Sequence, residues 1–280
     1  MKIQQSDSRI DVKPFSGADK AAGSRYAEIK ERLLNRARRD EAVQAVIAFG
    51  SSARTSAPAD CFSDLDLMVV TAVPARWLSE DVPQTFGPIS MAFSEPTFAG
   101  GKEWRLLYGA DSDLDLMVFS PEQFAEVLKT GFAGDMLRRG YRVLYDACGL
   151  TKAIEQAAGE TARQPEMTEN EFLRLTNDFY FHIIWAAKKL LRGELWSAAI
   201  NINGYQKKNL LRMIETYTRL TKGCDTWHDG RFLDRWADDS IRTALQGCFA
   251  RYDAGDIAAA IRATHALFAR LARSVAETQQ

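Results

Sequence analysis

Ala45-Val46-Ile47-Ala48-Phe49-Gly50-Ser51, twelve further residues, and then Asp64-Leu65-Asp66-Leu67-Met68-Val69-Val70 form the stretch that decides how this chain is read. An apolar run of strand length ends at Phe49, a Gly-Ser turn follows, and a second apolar run opens with two acids. Side chains alternate along a strand, so Asp64 and Asp66 share one face with Cβ atoms ~6.6 Å apart, a spacing that suits carboxylates gripping a hard cation such as Mg²⁺. Gly50 permits close backbone approach, Ser51 and the amides after it can cradle phosphate oxygens where a helix begins, and Arg54 is near enough in sequence to help neutralise a triphosphate. An isolated Asp-x-Asp often only decorates a strand edge or serves a turn. Asp is depleted from strands, however, and like charges on one face repel, so the full pattern is costly unless cations bind there.

The hexapeptide Asp-Leu-Asp-Leu-Met-Val occurs twice, at 64–69 and at 113–118. Gly100-Gly101 precedes the second copy, but residues 94–99 make a poor buried strand and 104–108 is itself strand-like, so the first copy is taken as the primary motif. The second then supplies a third acid. Asp111, Asp113 and Asp115 have the same parity and could all face Asp64 and Asp66 from a neighbouring strand; Asp115, deepest in the apolar run, is the choice.

Outward from this centre, a helix is predicted over 24–39, with Tyr26, Ile29, Leu33 and Leu34 on one face, and strands over 45–49, 65–71, 89–93, 104–108, 114–119 and 142–145. After Cys148-Gly149 the composition changes to a polar, Ala-rich stretch containing Pro165, which places a boundary near 150–165. Beyond it Phe172, Leu175, Phe179, Ile183, Ala186 and Leu190 recur at helical steps, and Leu195, Ala199, Ile202, Leu210, Met213 and Tyr217 continue as a second helix. The expected architecture is an α/β (α+β) domain with a mixed sheet over 1–150, followed by an all-α helical bundle over 151–280.

Composition narrows the classes further. With 280 residues, 46% hydrophobic and 26% charged, the chain has room for two ordinary domains. No apolar run reaches the ~18 residues of a membrane span and the first residues lack a leader's apolar core, so a cytoplasmic protein without a membrane partner is expected. Four scattered cysteines and three histidines indicate neither a disulfide framework nor a zinc site. Net charge is −1, and the basic stretch at Arg36, Arg38 and Arg39 is too local to suggest a nucleic-acid surface.

Gly50-Ser51, Asp64-Leu65-Asp66 and a later strand carboxylate together resemble the DNA polymerase beta-type nucleotidyltransferase superfamily. Within it, the chain resembles the aminoglycoside 6-adenylyltransferases, or streptomycin adenylyltransferases, through Ala48-Phe49-Gly50-Ser51, Phe62-Ser63-Asp64-Leu65-Asp66, Phe86-Gly87, Glu95-Pro96 and Leu106-Leu107. In the second half Asn170-Glu171-Phe172, Ala187-Lys188, Leu191-Arg192-Gly193-Glu194-Leu195, Leu210-Leu211-Arg212-Met213-Ile214-Glu215 and Gly230-Arg231-Phe232-Leu233 carry the likeness. It departs at Ser52, where the family commonly has Arg, at Asp113, where a basic or polar residue is typical, and at Thr216, where Trp is usual.

The resemblance implies that Asp64, Asp66 and Asp115 hold Mg²⁺, as two ions. A hydroxyl of a small cationic antibiotic such as streptomycin would attack the α-phosphate of ATP and confer resistance, with Gly50, Ser51, Arg54 and Lys188 contacting the nucleotide. Asp115 is the first candidate for the general base and Glu95 the second. A cationic sugar needs acids to hold it, and Glu171, Asp178 and Glu215 in the helical half are the candidates beside Glu95, in an acceptor site expected between the two domains. His182, Phe172 and Met213 are read as packing residues. Two rival readings are an antitoxin that modifies a protein partner, against which the long helical half argues, and a non-catalytic nucleotide-binding module, against which all three acids argue. Oligomeric state is left open.

Overall fold

The computed structural model describes residues 26–54, 56–130, 136–159 and 167–278. The chain divides into two compact units, Met1–Gln164 and Pro165–Gln280.

In the first unit, helix α1 (Ala27–Arg39) buries Ile29, Leu33 and Ala37 at four-residue steps and carries Glu28 in its first turn and Arg36, Arg38 and Arg39 in its last, the charge order that suits the helix dipole. Ser24, where that helix was expected to start, lies outside the described residues. The six expected strands all form: β1 (Val43–Phe49), β2 (Leu65–Thr71), β3 (Ile89–Pro96), β4 (Lys102–Tyr108), β5 (Ser112–Phe119) and β6 (Tyr141–Asp146). A short helix α2 (Val82–Thr85) precedes β3, and α3 (Pro121–Lys129) and α4 (Thr151–Gly159) flank β6. Helix α3 starts sharply because Pro121 follows a reciprocal cap, in which the Gln123 amide donates to Ser120 Oγ at 3.2 Å and the Ser120 amide donates to Gln123 Oε1 at 2.8 Å.

The strands form one mixed sheet in the order β3-β4-β5-β2-β1-β6. Its one parallel pair is β2 with β5, and there the two hexapeptides lie side by side in register: Leu65 opposite Leu114, Asp66 opposite Asp115, and so on to Val69 opposite Val118. From Leu65 to Val69 each residue faces its own duplicate. Alternation sorts the side chains into two layers. Val46, Ala48, Leu65, Leu67, Val69, Leu114, Leu116 and Val118 pack under α1 with Trp77 and Phe86. Ala45, Ile47, Phe49, Met68 and Val70 pack on the opposite layer with Phe124 and Val127 of α3, Leu137, and Ile154 and Ala157 of α4. Those two contacts keep α4 with the first unit, so the division falls at the far end of the 150–165 interval.

Strand β3 runs beyond Phe93 to Pro96, and Gly100-Gly101 sits in the hairpin between β3 and β4, closed by Thr97 donating its amide to Gly101 O at 3.0 Å. The glycines before the second hexapeptide thus turn a hairpin and do not repeat the Gly50-Ser51 turn.

The described elements of the second unit are helical: α5 (Glu169–Leu191), α6 (Leu195–Ile200), α7 (Gln206–Lys222), α8 (Leu233–Trp236), α9 (Asp239–Leu245) and α10 (Ala254–Thr278). Leu175, Phe179 and Ile183 of α5, Leu210 and Met213 of α7, and Leu267, Phe268 and Leu271 of α10 form its core. Phe179 and Phe268, both fully buried, stack with centroids 3.6 Å apart, and each contributes about 2–3 kcal/mol by burial. The single helix expected from Leu195 to Tyr217 is instead interrupted by a π turn at Asn201–Tyr205. The widened turn lets the Asn203 side chain pair both ways with the Ala250 backbone, at 2.8 and 2.9 Å, while Gln206 Nε2 donates to Phe179 O at 3.1 Å. Periodicity is blind to such a turn because apolar spacing resumes beyond it. No helix among the described residues is long and apolar enough to cross a membrane, and all four cysteines are free thiols.

Candidate active site

The register of β2 and β5 puts Asp66 and Asp115 opposite one another, and Asp64 stands immediately before β2. One carboxylate oxygen from each of Asp64, Asp66 and Asp115 lies within 4.8 Å of the others, and all three residues are half-buried. Ligand oxygens on an octahedron with Mg–O bonds of 2.0–2.1 Å are about 3 Å apart when adjacent and about 4 Å when opposite, so this oxygen-only set fits a Mg²⁺ ion, with room left for phosphate oxygens or water. Asp111 and Asp113 are exposed, so of the three acids of like parity on the second copy only Asp115 joins the group.

The Gly-Ser turn is shaped around these acids. Gly50 has φ +64°, and a Cβ on it would lie 2.0 Å from Asp66 Oδ2, so the backbone approach read from the sequence is an approach to a metal-site carboxylate. Ser51 is buried and its hydroxyl donates to Asp64 O at 3.4 Å, while Arg142 of β6 donates to Ser52 O. The helix expected to begin at Ser51 is only a 3₁₀ turn, Gly50–Ser52, because the chain then swings out to Ala57, whose carbonyl takes the Arg54 Nε hydrogen bond at 2.5 Å.

Two residues of this site were not singled out from sequence. Arg105, on β4 directly opposite Asp115, donates Nε to Glu95 Oε1 at 2.8 Å, contacts Asp115 Oδ2 through Nη1, and lies 3.2 Å from Glu103 Oε1. Glu103 is only 4% exposed, and its Oε1 has no hydrogen-bond partner. Burial raises the pKa of Glu103, opposed by the charge of Arg105. Burial likewise raises that of Asp115, again opposed by Arg105 and reinforced by Asp64. For Arg105 burial works against the charged form, but Glu95, Asp115 and Glu103 outweigh it and hold the guanidinium protonated. The sequence carried part of the signal: Glu103 and Arg105 alternate with Trp104 and Leu106 in a strand, which puts two charges on one face without saying what that face meets.

In the second unit Glu171 and Asp178 line one groove of ≈ 980 Å³ with Arg174, Phe181, Tyr205 and Asn209. Glu171 also closes a capping box, taking the Thr168 amide at 2.9 Å. Asp178 accepts from Tyr205 Oη at 2.8 Å and Asn209 Nδ2 at 2.6 Å, with His182 Nδ1 3.1 Å away. Glu215 is not among the residues lining that groove, and burial raises its pKa to about 7. Lys188 is exposed near the C-terminal end of α5.

Among solved structures, an aminoglycoside 6-adenyltransferase from Bacillus subtilis is similar at 17% identity and a TM-score of 0.41, with 90% of each chain covered. A nucleotidyltransferase-like protein from Exiguobacterium sibiricum 255-15 is similar at 12% identity and a TM-score of 0.39, with 90% of this chain and 77% of that one covered. No curated protein matches this chain in sequence. The family model for streptomycin adenylyltransferase matches residues 24–280, a span that holds the paired hexapeptides, the Gly-Ser turn and the helices of the second unit alike. By that match the chain belongs to the streptomycin adenylyltransferase family.

Proposed function

We propose that this protein transfers AMP from ATP to a hydroxyl of an aminoglycoside such as streptomycin, releasing pyrophosphate, and that the modified antibiotic no longer acts on the cell. The convergence of Asp64, Asp66 and Asp115 carries this reading. Mg²⁺ bound there would neutralise the triphosphate and polarise its α-phosphorus. The acceptor oxygen forms a bond to that phosphorus, the α–β phosphoanhydride bond breaks, and pyrophosphate departs with its electron pair.

The chain's own residues divide the remaining work. The hydroxyl proton goes to Glu95 in preference to Asp115, because Asp115 is committed to the cation cluster, whereas Glu95 has a 43% exposed side chain and keeps a free oxygen beyond its Arg105 bond. Gly50 and Ser51 seat the nucleotide's phosphates, with Arg54 and Lys188 as further cationic contacts. The helical second unit binds the antibiotic, and Glu171 and Asp178 in their shared groove answer its ammonium or guanidinium groups, flanked by the aromatic faces of Phe181 and Tyr205. Incubating the protein with Mg²⁺, each nucleoside triphosphate and a panel of aminoglycosides, then weighing the products by mass spectrometry, tests the reading. A gain of one AMP on streptomycin is the expected result, and no mass gain on any aminoglycoside refutes it.

A further inference from the structure

Arg105 sits where a cation would. In a cluster that collects Asp64, Asp66, Asp115, Glu103 and Glu95, its guanidinium holds Glu95 at 2.8 Å and touches Asp115, one of the three acids that fit the metal. Glu103, on the same strand, is buried, and its Oε1 lies 3.2 Å from Arg105 Nη1 yet accepts no hydrogen bond. That oxygen is ion-paired with Arg105 but not hydrogen-bonded, so its pairing is incomplete, and a guanidinium fork can serve two carboxylates. Arg105 therefore already touches the acid onto which it can shift, and aligning with Glu103 would complete that carboxylate's pairing.

We propose that Arg105 is an internal counter-ion: it occupies Asp115 when the site holds no metal, and yields that carboxylate by falling back onto Glu103 when a divalent ion arrives. This rests on the reading of Asp64, Asp66 and Asp115 as the metal site and adds to it a control on loading. Metal binding by the protein alone is held weak by competition from Arg105, so that an ion is captured with its nucleotide rather than before it. The arrangement also gives the clustered carboxylates a fixed positive charge to pack against. Arg105 is a positioning residue; the alternation of β4 aims it at β5, directly across from Asp115.

The test is Mn²⁺ binding to the full chain without nucleotide, followed by the electron paramagnetic resonance signal of the free ion, alongside melting curves. Arg105→Gln should bind Mn²⁺ about tenfold more tightly than the wild type, the scale of one nearby charge in a half-exposed site. Arg105→Lys should fall between them, since an ammonium lacks the planar fork. Lys102→Gln, which removes a charge from the same strand, should change binding by less than about twofold. Metal-free Arg105→Gln should melt below the wild type, and saturating Mn²⁺ should close the gap. Unchanged Mn²⁺ affinity in Arg105→Gln, equal tightening in Lys102→Gln, or a melting deficit that metal does not repair would overturn the inference. If Arg105→Gln fails to fold, Arg105→Lys binding no tighter than wild type overturns it instead. Asp64→Asn serves as the separate check: if Mn²⁺ binds that variant as it binds the wild type, the metal-site reading fails, and this inference with it.

Discussion

Replacing Gly50 by Ala asks two things of the structure at once, and a second glycine separates them. The first is backbone strain: at φ +64° a Cβ costs ~1–2 kcal/mol, partly offset by the lower entropy of the unfolded chain. The second is collision. The new Cβ would stand 2.0 Å from Asp66 Oδ2 and 2.9 Å from Asp66 Cγ, so to reach an ordinary contact of about 3.4 Å the carboxylate must retreat by roughly 1.4 Å. Gly109 has almost the same backbone, φ +63°, with nothing within 4 Å of its would-be Cβ, so Gly109→Ala reports strain alone. For a unit of this size, about 1 kcal/mol lowers Tm by ~2–4 °C, which is expected of Gly109→Ala with transfer activity nearly intact. Gly50→Ala should lose that stability and, because a displacement of ~1 Å at a reacting centre costs about 10²-fold, at least that much in kcat. Melting curves and the transfer rate with saturating Mg²⁺ and ATP decide it. A Gly50→Ala protein within about threefold of Gly109→Ala in rate would refute the argument that Gly50 exists to admit the Asp66 carboxylate.

Asp64→Asn or Asp66→Asn should abolish transfer and leave Tm unchanged or slightly raised, since neutralising one acid relieves repulsion on a shared face; near-normal turnover in either would remove the metal-site assignment. Asp115→Asn should be severely impaired and the exposed Asp113→Asn much less so, and the reverse order would break the register argument. Glu171→Gln retains an acceptor for the Thr168 amide and so should keep its Tm, while raising KM for the cationic antibiotic and not for ATP, an effect that shrinks with added salt; unchanged antibiotic KM would leave Glu171 a cap only. Burial holds the folded pKa of Glu215 at about 7, above its unfolded value, so folding binds a proton there and stability falls as pH rises from about 4.5 through 7. Glu215→Gln should therefore stabilise the protein at pH 8 by about 1–2 kcal/mol, allowing for partial solvent screening, and do little at pH 5; an equal shift at both pH values would contradict that origin.

Much of this was legible in the residues because the signals were local. Six strands followed from apolar runs bounded by turn residues; parity narrowed the third acid to Asp111, Asp113 or Asp115, and depth in the apolar run picked Asp115, which meets Asp64 and Asp66. What stayed hidden depended on pairing. Nothing in residues 102–108 says that Arg105 faces Asp115 rather than solvent; that is fixed by β4 being the antiparallel neighbour of β5. The sequence likewise suggested a helix start after Ser51, whereas the 3₁₀ turn reflects where the chain must go next, and the π turn at Asn201–Tyr205 answers a partner 47 residues away at Ala250. Glu171 shows the remaining difficulty, since one carboxylate both caps a helix and lines a groove, and residue type alone does not separate the duties.

The in-register pairing of two identical hexapeptides also makes partner choice degenerate. To the edge of β2, segment 113–118 of its own chain and either copy on another molecule present the same side chains in the same parallel order. During refolding, intramolecular closure is favoured only by its higher effective concentration, so crowding of half-folded chains invites strand exchange and stacked assemblies. The aspartates at the head of each copy oppose this as gatekeepers, because every stacked layer would add like charges. A site that gathers acids to hold a cation thereby also guards the chain against itself, and a medium that neutralises those acids lowers that guard.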